Sequence, residues 1–173
     1  MHPLGNEQLK ELERTLHAEI PLTRAMGVRV VRADQRGLAL GAALAPNLNH
    51  KKTAFGGSLN SLATLACWGL IQLLVRDRSQ AITVVIQESS VQFLKPVMQD
   101  FEAICPPPPA AALEKFLRML EHKGRAGWNW RRLSIPTVRT RCTFAANSSP
   151  TTRRAFRVSS RCSAVAPDHS RAV

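Results

Sequence analysis

The sequence predicts an α+β domain in which an antiparallel sheet wraps around one long apolar helix. Residues 57–75 make about five turns of nearly unbroken apolar sequence, so this helix must be buried on most sides. On either side of it, residues 26–45 and 81–105 alternate apolar and polar side chains as strands do. Strands on both sides of a single buried helix favour a sheet that packs around that helix.

The elements before the central helix are a short helix and a hairpin. Residues 6–19 place leucines at helical spacing between charges, and Pro21 ends this amphipathic helix. From residue 26 to residue 45 the period changes to two, which predicts two antiparallel strands joined by a tight turn at 34–37. The hairpin leads into a polar loop that begins at Asn47.

The elements after the central helix are two strands and a second helix. Residues 81–97 read as a long strand with a candidate bulge at 88–90, and residues 100–105 as a short strand. Four prolines stop the short strand. An amphipathic helix with a basic last turn follows and is predicted to stop at Gly124.

Length, cysteine content and hydropathy exclude several classes of protein. A chain of 173 residues is long enough for one domain with a core and too short for two. The four cysteines have neither CxxC nor zinc-like spacing, so we expect reduced thiols and no metal site. No apolar run reaches a membrane span of roughly 18 residues without polar interruption, and the N-terminus is charged. We therefore expect a cytoplasmic protein without a membrane partner.

The formal charge of +12 is unevenly distributed along the chain. Residues 1–123 carry 14 Lys and Arg against 11 Asp and Glu, whereas residues 124–173 carry 10 Arg against Asp168 alone. The net charges are therefore +3 and +9. Because the basicity belongs to the C-terminal segment, we expect no nucleic-acid partner for the domain itself.

The loop at residues 47–58 and the start of the central helix form a candidate anion site. The pair Gly56 and Gly57 permits a close backbone approach that a side chain would block. The N–H groups at a helix start favour an oxygen that carries negative charge. Alternatively, the glycine pair only lets the helix pack closely against the sheet.

Several stretches closely resemble the thioesterase-like hot-dog domain at the C-terminus of the bacterial YiiD proteins. They are Ala45–Lys51, Thr53–Leu59, Trp68–Leu70, Val84–Gln87 and Leu94–Val97, and the resemblance runs from about residue 20 to residue 126. It implies a hot-dog fold, which is a curved antiparallel sheet around a central helix. It further implies a homodimer with an acyl-thioester site at the subunit interface, acyl-coenzyme A or acyl-carrier-protein substrates, and no cofactor.

The resemblance gives roles to residues of the loop. The amides of Gly57 and Ser58 would stabilise negative charge on the thioester carbonyl oxygen. Asn49 lies seven residues before Gly56, where many hot-dog thioesterases have a polar group that holds substrate or water. Asn47 is a second candidate catalytic residue. Either asparagine could instead satisfy the backbone of its own turn.

Four further residues are candidates for substrate binding: His50, Lys51, Phe55 and Gly56. Histidine side chains commonly act as acids or bases in catalysis, so His50 could take part in it, although a solvent-facing histidine is the alternative. Lys51 could attract the phosphopantetheine of coenzyme A or an acidic carrier protein, or could simply be solvated.

Two departures from better-known hot-dog hydrolases leave the reaction open. Phe55 stands where those enzymes often have His, and Thr64 stands where they often have the Asp or Glu that activates water. Residues 58–75 contain no carboxylate, and a threonine is a poor general base.

Thioester hydrolysis is the predicted function, with Thr64 as a candidate catalytic residue. One alternative is decarboxylation of malonyl-acyl-carrier protein, which needs an oxyanion site but no base. The other is a non-catalytic module that binds acyl thioesters.

The resemblance stops beyond residue 126. Residues 127–173 are rich in Arg, Ser, Thr and Pro, without lysine or clear periodicity, so the domain is predicted to span residues 1–126 and to lack its last strands. Because Trp has a single codon, the amino acids encoded in the reading frame one base earlier can be partly deduced from the protein sequence. In that frame, Trp128–Arg131 becomes a segment in which apolar and polar residues alternate as in a strand. We therefore interpret the tail as an out-of-frame translation of the missing strands, and we expect it to be disordered and the protein poorly soluble. A genuine basic tail that contacts nucleic acid or membrane is the alternative.

Overall fold

A computed structural model describes residues 4–76, 82–135 and 138–147. The helices are α1 (Asn6–Glu19), α2 (Pro21–Ala25), α3 (Gly56–Val75) and α4 (Ala110–Lys123). The strands are β1 (Arg29–Asp34), β2 (Gly37–Ala42), β3 (Thr83–Phe93), β4 (Phe101–Cys105), β5 (Arg125–Ile135) and β6 (Val138–Asn147). A short 3-10 turn at Ala45–Asn47 follows β2.

The six strands form one sheet in the order β1-β2-β4-β5-β6-β3, and every neighbouring pair is antiparallel. Helix α3 contacts β2, β3, β4, β5 and β6, so the sheet wraps around it. The predicted α+β class and the predicted central helix are therefore confirmed.

Helix α3 is the core of the domain because its apolar residues are distributed around most of its circumference. Its buried positions are Leu59, Leu62, Ala63, Leu65, Ala66, Cys67, Gly69, Leu70, Ile71 and Val75. By length and composition α3 could cross a membrane, but a buried core helix passes the same test. Cys67 and Cys105 are buried and form no disulfide with each other, and their Sγ atoms lie 3.0 Å apart.

Local sequence signals end the elements where predicted. In the β1–β2 turn, the Arg36 amide donates to Asp34 Oδ1 at 2.7 Å, and this bond is the main cause that lowers the pKa of the Asp34 carboxyl. Gly124 ends α4 with a φ of 63°, in the left-handed region that glycine tolerates. The register of β3 shifts between Ile86 and Glu88, at the start of the predicted bulge.

The last two strands correct the expectation that the sheet is incomplete. Strand β5 pairs with β4 and β6, and β6 also pairs with β3, so residues 125–147 continue the domain beyond the boundary predicted at residue 126. A strand ladder is built from backbone groups, so scattered arginines do not prevent it. Strand β6 covers the inner edge of β3. Residues 148–173 lie outside the described residues, and the frameshift hypothesis concerns the coding DNA, so it stays a prediction.

Candidate active site

The loop before α3 is fixed by backbone hydrogen bonds to its surroundings. The amide of Phe55 donates to the carbonyl of Asn47 at 2.7 Å, which closes the loop on itself. The amide of Ala54 donates to the carbonyl of Val97 at 2.8 Å, which ties the loop to the segment after β3. The start of α3 is therefore held in place relative to the sheet.

Asn47 is the buried anchor of this loop. The residue is only 2% exposed, and its Nδ2 donates to the carbonyl oxygens of Met26 at 2.9 Å and Ala43 at 2.8 Å. Its Oδ1 is buried, and no described residue donates a hydrogen bond to it. Buried polar atoms normally have a partner, so this oxygen is a candidate acceptor for a buried water.

The side chain of Asn49 forms hydrogen bonds within the loop. Its Oδ1 accepts hydrogen bonds from the amides of Lys51 at 2.8 Å and Thr53 at 3.2 Å, and its Nδ2 donates to Thr53 Oγ1 at 2.9 Å. This is the local bonding of an Asx-type turn. His50 and Lys51 are exposed on the same loop, on its solvent side. The side chain of Asn49 is thus committed to the loop, while its neighbours face solvent.

The first turn of α3 is open towards the surface. Phe55 is the N-cap and makes no side-chain hydrogen bond to that turn. The amides of Gly57 and Ser58 belong to the first turn, whose N–H groups have no carbonyl partner within a helix. These two predicted donors are therefore neighbours in the first turn of the helix, and neither has a carbonyl partner within that helix.

Two aromatic rings explain why both residues at the start of α3 are glycines. A Cβ at Gly56 would lie 3.0 Å from Cζ of Phe93, and a Cβ at Gly57 would overlap the ring of Phe55. Phe55 is 56% exposed and Phe93 is 52% exposed. The glycine pair thus leaves room for two half-exposed rings beside the open amides.

A stripe of half-buried residues runs along α3 from this turn. It consists of Ser58, Asn60, Ser61, Thr64 and Trp68, which are less buried than the apolar residues around them. Ser89 of β3 donates from Oγ to Asn60 Oδ1 at 2.9 Å, and Trp68 Nε1 donates to the carbonyl of Val84 at 3.1 Å. The stripe therefore faces β3, and it contains no carboxylate and no imidazole.

Sequence reasoning missed three residues that the fold brings to this site: Asn60, Ser89 and Phe93. Asn60 was detectable as a polar residue one turn after Gly57 in an apolar helix. Ser89 and Phe93 come from β3, and their approach to α3 depends on the register after the bulge, which periodicity does not specify.

The site does not coincide with the cavity of about 600 Å³ near the other end of α3. That cavity lies between α1, α3 and the start of β3, and Trp68, Gln72 and Leu73 are among its lining residues. Within the described ranges, no group of three or more His, Cys, Asp and Glu side chains could hold a metal ion. The polar groups that these elements bring to the site are amides, hydroxyls and the backbone.

A protein-family model described as "Putative thioesterase (yiiD_Cterm)" matches residues 9–144. The chain belongs to this family. The match confirms the predicted resemblance and extends it beyond residue 126, through β5 and most of β6. Membership in the YiiD C-terminal family supports a thioesterase-type function.

Solved structures show the same fold. A protein of unknown function from Chlorobaculum tepidum is 29% identical, with a TM-score of 0.78, and the alignment covers 83% of this chain and 96% of that one. A "putative thioesterase" from Shewanella oneidensis is 23% identical, with a TM-score of 0.67 and coverages of 84% and 100%. A "probable thioesterase" from Pseudomonas aeruginosa is 17% identical, with a TM-score of 0.68 and coverages of 86% and 99%. The predicted hot-dog fold is confirmed.

Proposed function

We propose that the protein is an enzyme that acts on acyl thioesters of coenzyme A or of an acyl carrier protein. The observation that carries the proposal is the open first turn of α3, where the amides of Gly57 and Ser58 are available beside two half-exposed aromatic rings. These amides would donate to the thioester carbonyl oxygen and stabilise the negative charge that develops on it in the transition state.

Hydrolysis is the reaction that family membership supports. A water molecule would attack the carbonyl carbon, and the charged oxygen would rest on the two amides. Thr64 lies along the same helix face as the open turn, whereas Asn47 Oδ1 is buried away from solvent. Neither group is a strong base, so we expect slow hydrolysis that accelerates as hydroxide becomes available at alkaline pH.

Decarboxylation of a malonyl thioester is a second candidate, and the composition of the stripe on α3 favours it. Cleavage of the bond to the carboxylate releases carbon dioxide and leaves an enolate whose charge lies on the thioester oxygen, so the same two amides would stabilise it and no base is needed. A proton from water on carbon 2 then gives the acetyl thioester. The groups along the stripe are neutral hydroxyls, an amide and an indole, which do not repel the substrate carboxylate.

One assay separates these reactions. Purified protein is offered acetyl-, long-chain acyl- and malonyl-thioesters of coenzyme A and of a carrier protein. Release of free thiol identifies hydrolysis, and carbon dioxide with retained acetyl thioester identifies decarboxylation. Binding without either product identifies a non-catalytic module, and no binding at all overturns the proposal.

We further propose that the protein is a homodimer. No described strand pairs with the outer edge of β3, and large apolar side chains are exposed near it, among them Phe93 and Met98, the latter 73% exposed. An open strand edge beside apolar surface is a common self-association site. Light scattering after gel filtration should give twice the chain mass of 19.1 kDa, and Met98→Glu should lower it. A monomeric wild type would contradict this.

A further inference from the structure

Two cysteine side chains meet where the middle of α3 packs against the end of β4. Cys67 belongs to α3, and Cys105 is the last residue of β4, 38 positions further along the chain. Both residues are fully buried, and Cys67 Sγ donates to Cys105 Sγ at 3.0 Å. A disulfide has an S–S distance of about 2.0 Å, so the two sulfur atoms would have to approach by only about 1 Å to form one.

The packing of α3 on the sheet fixes this contact. Cys105 pairs with Leu38 of β2, so their side chains share one face of the sheet. Leu38 in turn contacts α3 at Gly69, where a Cβ would lie only 2.8 Å from Cδ2 of Leu38. Because glycine allows α3 to approach the sheet this closely, the two thiols are held together by a helix and a strand of the core.

Cys105 lies at the end of its strand, where local opening costs least free energy. The exposed residues Pro106 and Pro107 follow it, and proline has no backbone N–H to donate to a neighbouring strand. Among the described residues, Ile104 and Ser134 form the pair that joins β4 to β5 beside this end. A small uncharged oxidant that enters here would reach Cys105 first, since Cys67 lies within the core helix.

We propose that Cys67 and Cys105 form a reversible disulfide when the protein meets hydrogen peroxide. Cys105 Sγ attacks one peroxide oxygen, the O–O bond breaks, and the departing hydroxide takes up the thiol proton to give water and a sulfenic acid. Cys67 Sγ then attacks the sulfenic sulfur, the S–O bond breaks, and hydroxide leaves with the Cys67 proton as a second water. The thiol pair is thereby oxidised by two electrons, and the peroxide is reduced to water. This step is independent of the proposed thioester chemistry.

The disulfide would tie the core helix covalently to the sheet. The chain between the two cysteines contains all of β3, which joins the sheet through its pairing with β6. Closing a long loop removes conformations from the unfolded chain, whereas the native structure changes little because the sulfur atoms are already in contact. The oxidised protein should therefore keep its fold and resist unfolding better than the reduced protein.

Peptide mapping of the 173-residue chain tests the pairing directly. Trypsin cuts after Arg76, so Cys67 and Cys105 lie in separate peptides, and further arginines separate both from Cys142 and Cys162. After treatment of the folded protein with hydrogen peroxide and alkylation of the remaining thiols, mass spectrometry should detect a Cys67–Cys105 crosslink that dithiothreitol removes. Absence of this crosslink, or pairing of either residue with one of the other two cysteines instead, would overturn the proposal.

Cys67→Ala tests the order of the two steps. Without the Cys67 thiol, the Cys105 sulfenic acid cannot form this disulfide, so dimedone should trap it after peroxide treatment, whereas wild type should give little adduct. Cys142→Ala is the matched control and should form the Cys67–Cys105 crosslink as wild type does. Equal dimedone labelling of Cys105 in wild type and Cys67→Ala would contradict the proposal.

Urea unfolding measures the effect of the covalent tie. We expect the midpoint of peroxide-treated wild type to lie about 1 M above that of protein kept in dithiothreitol. Cys67→Ala should have the same midpoint under both conditions, and Cys142→Ala should show the wild-type difference. Equal midpoints for oxidised and reduced wild type would show that the disulfide does not stabilise the domain. The wild-type peptide map and midpoints decide the proposal even if Cys67→Ala fails to fold.

Discussion

Substitution of Gly57 should affect activity without lowering stability. A methyl group there would overlap the ring of Phe55, which is exposed and free to move, so Gly57→Ala should fold. Ala is also favoured over Gly within a helix by about 1 kcal/mol. We therefore expect a melting temperature equal to or above that of wild type, but thioester turnover or affinity at least tenfold lower, because the methyl group and the displaced ring cover the amides.

The control for this substitution is Gly5→Ala, because a Cβ at Gly5 meets no atom within 4 Å. Its activity should equal that of wild type. Full activity of Gly57→Ala would show that the carbonyl oxygen is not held at the start of α3.

The two asparagines of the loop should differ in their effects on stability. Asn47→Ala leaves the buried carbonyl of Met26 and the partly buried carbonyl of Ala43 without their donor, and an unsatisfied buried group costs about 1–3 kcal/mol. Asn49→Ala removes bonds within a partly exposed loop, where water can replace them. Urea unfolding should show a loss of about 2 kcal/mol or more for the first variant and about 1 kcal/mol or less for the second.

Equal and small losses for both variants would contradict the anchoring role of Asn47. The sequence identified both asparagines as candidates, yet it could not separate them. Asn47 owes its burial to contacts with the segment around Met26, twenty-one positions away, and spacing within the loop carries no information about that contact.

At the scale of elements, sequence periodicity predicted the helices and strands whose formation depends on local sequence. Helix α3 is apolar all round, two short strands with apolar residues flank a polar turn in the β1–β2 hairpin, and α4 ends at a glycine, so each was recognisable in isolation, although all six residues of β2 are buried and do not alternate. Strands β5 and β6 were missed because their arginines hide any alternation, and because their stability comes from pairing with β3 and β4.

The contact between α4 and β5 tests whether these late strands belong to the domain. The rings of Phe116 and Trp128 meet edge to face with centroids 5.4 Å apart. Truncating a packed aromatic residue costs about 3 kcal/mol, and Trp128 is only half-buried, so we expect about 2 kcal/mol for Trp128→Ala. A second measurement is the fluorescence maximum of Trp128 in a variant without the other two tryptophans, which should shift to longer wavelength on unfolding.

A disordered segment after residue 126 would give a different result. Trp128→Ala would then leave the urea midpoint unchanged, and Trp128 would fluoresce in the folded protein as it does in urea. Leu117→Ala, on the same helix and packed against the core, is the control that should lower the midpoint in either case.

At the scale of the whole molecule, the continuity of the sheet predicts where the chain can be cut. In the order β1-β2-β4-β5-β6-β3, strands β5 and β6 connect β4 to β3, so their removal separates β3 from the rest of the sheet. A chain of residues 1–126 would expose a backbone edge on each side of the gap, together with the apolar face of α3 beneath it. A chain of residues 1–147 keeps every described strand.

We therefore expect the 1–147 chain to unfold in urea with the same midpoint and slope as the full chain, since the slope follows the surface exposed on unfolding. The 1–126 chain should lack a cooperative transition and elute as an aggregate. A cooperative 1–126 chain would show that β5 and β6 contribute no stability, which is what an out-of-frame segment implies. Sequencing the coding DNA tests the frameshift hypothesis directly. If the reading frame is interrupted near codon 127, correcting it should restore the native strands and raise both the urea midpoint and the soluble yield.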